Sequence, residues 1–389
     1  MFLGCRKFVS VFVLLTLTLL LVMASCAPSP APSPSPTPQP SPPVAPEPLP
    51  PAPVLAELNL VTEPLAEKKL SVELVYSGGD ESGLCYLGSY AMLAKFNDSD
   101  INFTDVIANS GIATSALYVP QVNILIDGFF LRSIGTAARN QGYDYYIAAV
   151  KGAMITDDFV ANDLPKDAKQ ILSVESEDEA FELLKRLVSS DIPVMVHLDA
   201  FFIKEPLIAH TSYMKHVFLF EDHVDHYMTV TGYDDGFVYL NDPTEKAEGM
   251  GEDIPVDISG FLSAWKNGDH PSFDEGARIG PYWMLFLGKR GTAKSASELI
   301  FWNKDIAAKA PGEIRKAANN PNISDLLHCN QMYQARKEFG VFLKQNGYIE
   351  AGDMFAEASE LFRGLCQSPN QQADLLRIAD LQEHALVKW

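Results

Sequence analysis

The sequence predicts an α+β domain followed by an all-α region, and three stretches carry that expectation. A helix from about Cys85 to Phe96, apolar almost all round, follows a loop rich in glycine; such a helix is buried on most sides. Two alternating segments, His226 to Tyr233 and Phe237 to Asn241, flank Asp234-Asp235-Gly236, which reads as a hairpin with a three-residue loop and Gly in the left-handed position. From about Ala293 to the C-terminus apolar residues recur at helical spacing. Helix, strands and then a helical tail define an α+β domain with an all-α region behind it. The predicted division is a leader over residues 1–25, a spacer over 26–55, the α+β domain over 56–290 and the helical region over 291–389.

Composition narrows the function classes. The chain has 389 residues, 47% hydrophobic and 21% charged, enough to bury a core. Thirty Lys and Arg face 50 Asp and Glu, a formal charge of −20. A nucleic-acid reader needs a basic face to neutralise phosphates, so that class is excluded, as is a polybasic membrane-surface mode. The plain reading of the acidity is solubility.

The first residues read as an address. Arg6 and Lys7 precede an apolar run from Phe8 to Met23, which ends in Ala24-Ser25-Cys26. A charged start, a short apolar run and small residues before the break form a secretory signature. The run is shorter than the roughly 20 apolar residues of a membrane span. With Cys26 directly after it, the segment resembles the lipobox of bacterial lipoproteins. That resemblance implies cleavage before Cys26, a lipid thioether on its sulfur, and a lipid-anchored, extracytoplasmic place in a bacterial cell envelope. Between Ala27 and Pro53 lie 14 of the 26 prolines. Such a run favours polyproline II and could span roughly 80 Å at about 3.1 Å per residue.

Elements of the α+β domain follow in order. Ala56 to Tyr76 reads as a strand with Leu70, Val72, Leu74 and Tyr76 on one face. Residues 78–83 are a loop by composition, and the Cys85 helix follows. Phe130 to Gln141 and Ser176 to Ser189 read as helices, and Ile192 to Leu198 as a buried strand. The stretch from Phe201 to Glu221 is longer than a simple strand link and is read either as a lid or as a packed surface loop. One helical pair near Gln334 to Leu365 is reminiscent of a tetratricopeptide unit, but a single unit is not an array.

The cysteines separate by position. Cys5 leaves with the leader, Cys26 is the lipid site, and Cys329 and Cys366 lie in the helical region. Cys329 stands 18 residues before Gly347 and Cys366 stands 19 after it. An antiparallel helix pair turning at Gly347 would bring them side by side, and an exported compartment favours a disulfide. Cys85 remains, at a helix N-terminus where unpaired N–H groups and the helix dipole favour a thiolate. A lone cysteine with His and Asp further along is the pattern of a thiol nucleophile. In the hairpin, if Tyr233 faces Phe237, Asp242 falls opposite Met228, two residues from His226. His226 and Asp242 then share one face, within reach of each other. That is the base-and-orienter geometry of a triad. His197, His210, His216, His223 and His226 show no tight spacing on a helix and no added cysteine, so no metal is expected; apart from His226 they read as loop polar residues. No cofactor is expected.

Gly83-Leu84-Cys85 with its helix, Pro193-Val194, the stretch from Asp225 through His226 to Asp234, and Val238-Tyr239-Leu240-Asn241-Asp242-Pro243 together resemble the papain-like cysteine peptidase superfamily over about Tyr76 to Gly288. The nearest branch is that of bacteriocin-processing peptidases. The resemblance implies a buried cysteine helix packed on an antiparallel sheet, and a hydrolase cleaving a peptide or amide bond. Cys85 would be the nucleophile, His226 the base and Asp242 the orienter. The chain is also similar to the N-terminal domains of butirosin-biosynthesis protein H-like proteins, which share the fold and thiol but transfer acyl groups. An acyltransferase or amidase with the same triad is therefore a second expectation, and a degenerate binding module a third. One departure separates the chain from the peptidase branch. That branch carries a Gln about six residues before the cysteine as an oxyanion donor, whereas residues 79–83 here are Gly-Asp-Glu-Ser-Gly.

Overall fold

A computed structural model describes residues 58–78, 82–120, 124–127, 133–150, 171–211, 223–268, 281–320, 325–326, 329–367 and 372–389. The leader, Cys26, the Pro-rich spacer and residues 212–222 of the long link lie outside the described residues. Among the described residues no helix is long and apolar enough to cross a membrane.

The first elements build the seat of the cysteine helix. Strand β1 (Lys68–Lys69) is followed by α1 (Cys85–Asn97) and α2 (Phe103–Ser110). Helix α1 buries every residue from Tyr86 to Ala94, as its apolar sequence requires. Helix α2 begins with a capping box in which Asn102 and Asp105 satisfy each other's backbone N–H groups. Strands β2 (Leu117–Val119) and β3 (Ile124–Ile126) precede α3 (Ser133–Asn140), β4 (Tyr143–Val150) and β5 (Ile171–Val174). Next come α4 (Glu177–Ser189), capped by the Ser176 side chain, and β6 (Val194–Asp199). The long link after β6 begins as a 3-10 turn over Ala200–Ile203 and a short helix α5 (Lys204–His210). Strands β7 (Asp225–Tyr233), β8 (Phe237–Asn241) and β9 (Ile254–Asp257), helix α6 (Ile258–Lys266) and strand β10 (Met284–Arg290) complete this part.

The main sheet runs β5-β4-β10-β6-β7-β8-β9, with β1 added against β7. Its pairings are antiparallel except β4 with β5. Helix α1 packs against β7, β6 and β10. The observed architecture is thus the mixed α/β papain-like arrangement, a buried cysteine helix on a largely antiparallel sheet, with helices after it.

Two local expectations are corrected. Of the strand expected over Ala56 to Tyr76, only Lys68–Lys69 forms a ladder, and the alternation stops after Val72, since Val75 is buried and Tyr76 is 39% exposed. The strap is held instead by single bonds: Asn241 Nδ2 donates to the Val72 carbonyl at 2.9 Å, and Ser77 donates twice to the Pro243 carbonyl. The hairpin loop is also longer than expected. Tyr233 pairs with Val238, not Phe237, and Gly236 is not left-handed. The Asp234 carboxylate closes the turn by accepting from the N–H groups of Gly236 and Phe237 at 2.8 and 2.7 Å, the local bonding Asp favours in turns. A bulge at Thr231 then absorbs the extra residue, and Val230 pairs with Leu240. Turn and bulge cancel, so the register that continues from Thr229–Asn241 sets Asp242 across from Met228.

The helical region comprises α7 (Ala296–Ala307), α8 (Ala310–Ala318), the short strand β11 (Asp325–Leu326), α9 (Cys329–Gln345), α10 (Ile349–Gln367) and α11 (Gln372–Lys388). It keeps a small core of its own around Ile314, Met332, Phe362, Leu375 and Ile378. Phe339, Phe342, Leu343 and Phe355 instead join the core beneath α1 and the main sheet. Strand β11 pairs with β3, which ties the region to the first part of the fold. Phe301 of α7 is 77% exposed.

Candidate active site

Cys85 is the first residue of α1, half-buried, and the free cysteine among the described residues. The chain reaches it through Gly83, held at φ +64°, where a side chain would be strained. Ser82 Oγ accepts from the Leu84 N–H at 3.2 Å and donates to the Ser77 carbonyl at 3.0 Å. No side chain described caps the start of α1. The N–H groups of its first turn therefore stand beside the thiol without a capping partner, at the positive end of the helix dipole.

His226 enters from β7, where it pairs with Leu198 of β6 and is buried. Its Nε2 donates to Asp242 Oδ1 at 3.0 Å. Cys85 acts on the same ring and favours its charged form. Burial pushes the His226 pKa down, but the Asp242 charge and hydrogen bond, together with Cys85, more than reverse this and hold it well above the ordinary imidazole range. The surroundings of the ring thus favour its protonated form.

Asp242 is fully buried just beyond β8, and its Oδ1 also accepts from Thr244 N and Oγ1 at 3.0 and 2.5 Å. Its backbone is fixed on both sides. The Asp242 N–H donates to the Gly251 carbonyl at 2.8 Å, and Pro243 rests directly on α1 at Gly88. A Cβ at position 88 would lie 2.5 Å from Pro243 Cβ and 2.7 Å from Ser77 Cβ. Gly88→Ala would gain about 1 kcal/mol of helix propensity and meet an overpacking cost of about 1–3 kcal/mol against a ring that cannot give way. The expected result is a lower melting temperature and slower Cys85 alkylation at pH 6, since Pro243 carries Asp242 with it. An unchanged alkylation rate would show that the Pro243 contact does not set the site.

The structure thus brings Cys85, His226 and Asp242 together, on the start of a helix and two neighbouring strands. Beside them lies a second group that the sequence reading treated as loop residues. His197 is not in a loop: it sits in β6 opposite Tyr227, with ring centroids 4.5 Å apart. Burial pushes its pKa down to about 3, and the His226 charge acts in the same direction. Its Nε2 is 3.7 Å from Asp225 Oδ1, too long for a hydrogen bond, so the neutral ring forms no ion pair there. Further out, His223 Nδ1 meets the buried Asp199 Oδ2 at 2.5 Å. The strand alternation around His197 was the available signal for its burial. Asp199 with His223 had none, because their approach depends on the pairing of β6 with β7. Among the described residues no group of three or more His, Cys, Asp or Glu is arranged to hold a metal ion.

A buried cysteine helix on a largely antiparallel sheet, with a histidine on one strand and an aspartate after the next, defines a papain-like cysteine peptidase type of protein. Residues 79–271 match the Peptidase C39-like family. A crystal structure assigned to a C39-like peptidase of Bacillus anthracis is 14% identical, with a TM-score of 0.32, over 58% of this chain and 99% of that one. At that level the likeness carries no argument. No curated protein is significantly similar to the chain.

Proposed function

We propose that the protein is a thiol hydrolase that cleaves a peptide or amide bond with Cys85, His226 and Asp242, held outside the cell membrane by a lipid on Cys26. The observation that carries this reading is the His226 ring, bonded to Asp242 at 3.0 Å and acted on by Cys85. His226 takes the thiol proton as the Cys85 sulfur adds to the substrate carbonyl carbon, and the carbonyl oxygen takes the negative charge. First-turn N–H groups of α1 face that charge. His226 gives its proton to the leaving nitrogen as the C–N bond breaks, leaving an acyl thioester. Water then adds to the thioester carbon and loses a proton to His226, and as the C–S bond breaks and the acid departs His226 returns that proton to the sulfur. Asp242 keeps the ring in the orientation that serves both steps.

The test is digestion of a mixed peptide library by the full-length chain in detergent. Wild type should release new termini, and Cys85→Ala should fall to background. Cleavage that persists in Cys85→Ala would reject the reading. Product formed only when an amine is supplied would make the protein an acyltransferase.

The anchor and the staple are part of the same proposal. The Pro-rich spacer would carry the folded part away from the membrane. A Cys329–Cys366 disulfide would tie the start of α9 to the end of α10, whose antiparallel packing is consistent with it. The intact mass of the exported protein should rise by about two hydrogens on reduction, as removal of one disulfide requires. No mass change would remove the staple.

A further inference from the structure

The loop that delivers Cys85 begins and ends against a helix from the far end of the chain. Gly78 and Gly83 bound that loop, both at positive φ, +100° and +64°. Both face α9. A Cβ at position 78 would lie 2.7 Å from the Gln334 side chain, and one at 83 would lie 3.9 Å from Gln331 Oε1. Gln331 is only 2% exposed, and its Nε2 donates to Tyr86 Oη at 2.6 Å. Tyr86 is the residue directly after Cys85. Its ring stands edge-on to Tyr227 at 6.1 Å, and Tyr227 is the neighbour of His226 on β7. The Gln331–Tyr86 bond therefore touches both sides of the thiol–imidazole pair without touching the pair itself.

Helix α9 brings a second buried polar group to the same interface. Arg336 is fully buried, donates from Nη2 to the Ser115 carbonyl at 3.0 Å, and lies 4.6 Å from the Phe362 ring centroid. Ser115 Oγ donates to Asp127 Oδ1 at 2.7 Å, and the Asp127 charge reaches both Arg336 and Tyr86. A buried, partnered polar network resists sliding and rotation more than an apolar contact does, because any shift strands a polar group away from water.

We infer that Gln331 is a positioning residue for the thiol site: through Tyr86 it sets the rotation of α1 and hence the direction of the Cys85 sulfur toward His226. The helical region is then a working part of the site rather than an appendage. This rests on the reading of Cys85 and His226 as a thiol–imidazole pair.

The test is the rate constant for iodoacetamide alkylation of Cys85, read by peptide mass spectrometry across pH 5–9 on the full chain in detergent. Wild type, Gln331→Met, Tyr86→Phe, the double variant and His226→Ala are compared. Misdirection of a reacting atom by about 1 Å can cost a hundredfold. The expected result is a drop of about tenfold or more at pH 6 in each single variant, a pH profile moved toward that of His226→Ala, and no further drop in the double variant, since both changes break one bond. Tyr86→Phe leaves α9 intact and carries the test if Gln331→Met does not fold. Wild-type profiles in both single variants beside a collapsed His226→Ala would overturn the positioning role alone, as would effects that multiply in the double variant. A His226→Ala profile equal to wild type would overturn the thiol–imidazole reading itself, and the positioning role with it.

Discussion

His226→Ala should slow alkylation of Cys85 at pH 6 by about two orders of magnitude. An unassisted thiol, with a pKa near 8.5, is ionised to only about one part in 300 at pH 6. In the wild type the His226 ring acts on the thiol, and its charged form is favoured by Asp242 and by Cys85 itself. Removing the ring removes that counter-charge, so the variant should behave as a free thiol and converge on wild type near pH 9. Peptide mass spectrometry separates Cys85 from the other cysteines. Equal rates in the two proteins at pH 6 would mean that the hydrogen-bonded arrangement does not activate the thiol, and the hydrolase reading would be lost.

Acid should destabilise the fold through His197, and His197→Phe should remove most of the effect. The folded-state pKa of His197 is pushed down to about 3 by burial and by the His226 charge. Above about pH 6.5 the ring is neutral in both folded and unfolded chains and contributes nothing. Below it the unfolded chain takes up a proton that the folded one refuses, so stability falls by about 1.4 kcal/mol per pH unit, or about 2 kcal/mol by pH 5. His226 has the opposite sign. Its folded pKa is raised, so its contribution is complete below about pH 6.5 and is lost as pH rises through the folded value. Phenylalanine keeps the ring against Tyr227 and cannot titrate. Urea unfolding at pH 7 and pH 5 measures the difference. The same acid loss in His197→Phe and wild type would assign it to another group.

Much of the site was legible because its parts are local. Cys85 follows a glycine-rich turn and opens an apolar helix, and both features lie within about ten residues of chain. The pairing of His226 with Asp242 came from counting residues across a hairpin. The count held for a different reason than the one assumed. The loop is longer by one residue, and the Thr231 bulge takes that residue back. Turn type and bulge are coupled through the ladder, so a count that ignores both can still place the two side chains together.

Other features were out of reach of pattern reading. The strap before Tyr76 looked like a strand because its apolar residues alternate, but single bonds to Asn241 and Pro243 replace the ladder there. His197 could be placed on a strand, but its loss of basicity depends on what covers it.

By itself, then, the sequence determined the order of elements, the helix that carries Cys85 and the strand pair that carries His226 and Asp242. These depend on residue types and spacings a few positions apart, where apolar periodicity and turn chemistry act. Only the tertiary structure decided that Gln331 of α9 bonds Tyr86 next to Cys85, that Pro243 rests on Gly88, and that burial lowers the basicity of His197 while Asp242 raises that of His226. Each of those joins residues far apart in the chain, and its energy comes from burial and partnering, which exist only once the chain has closed around them.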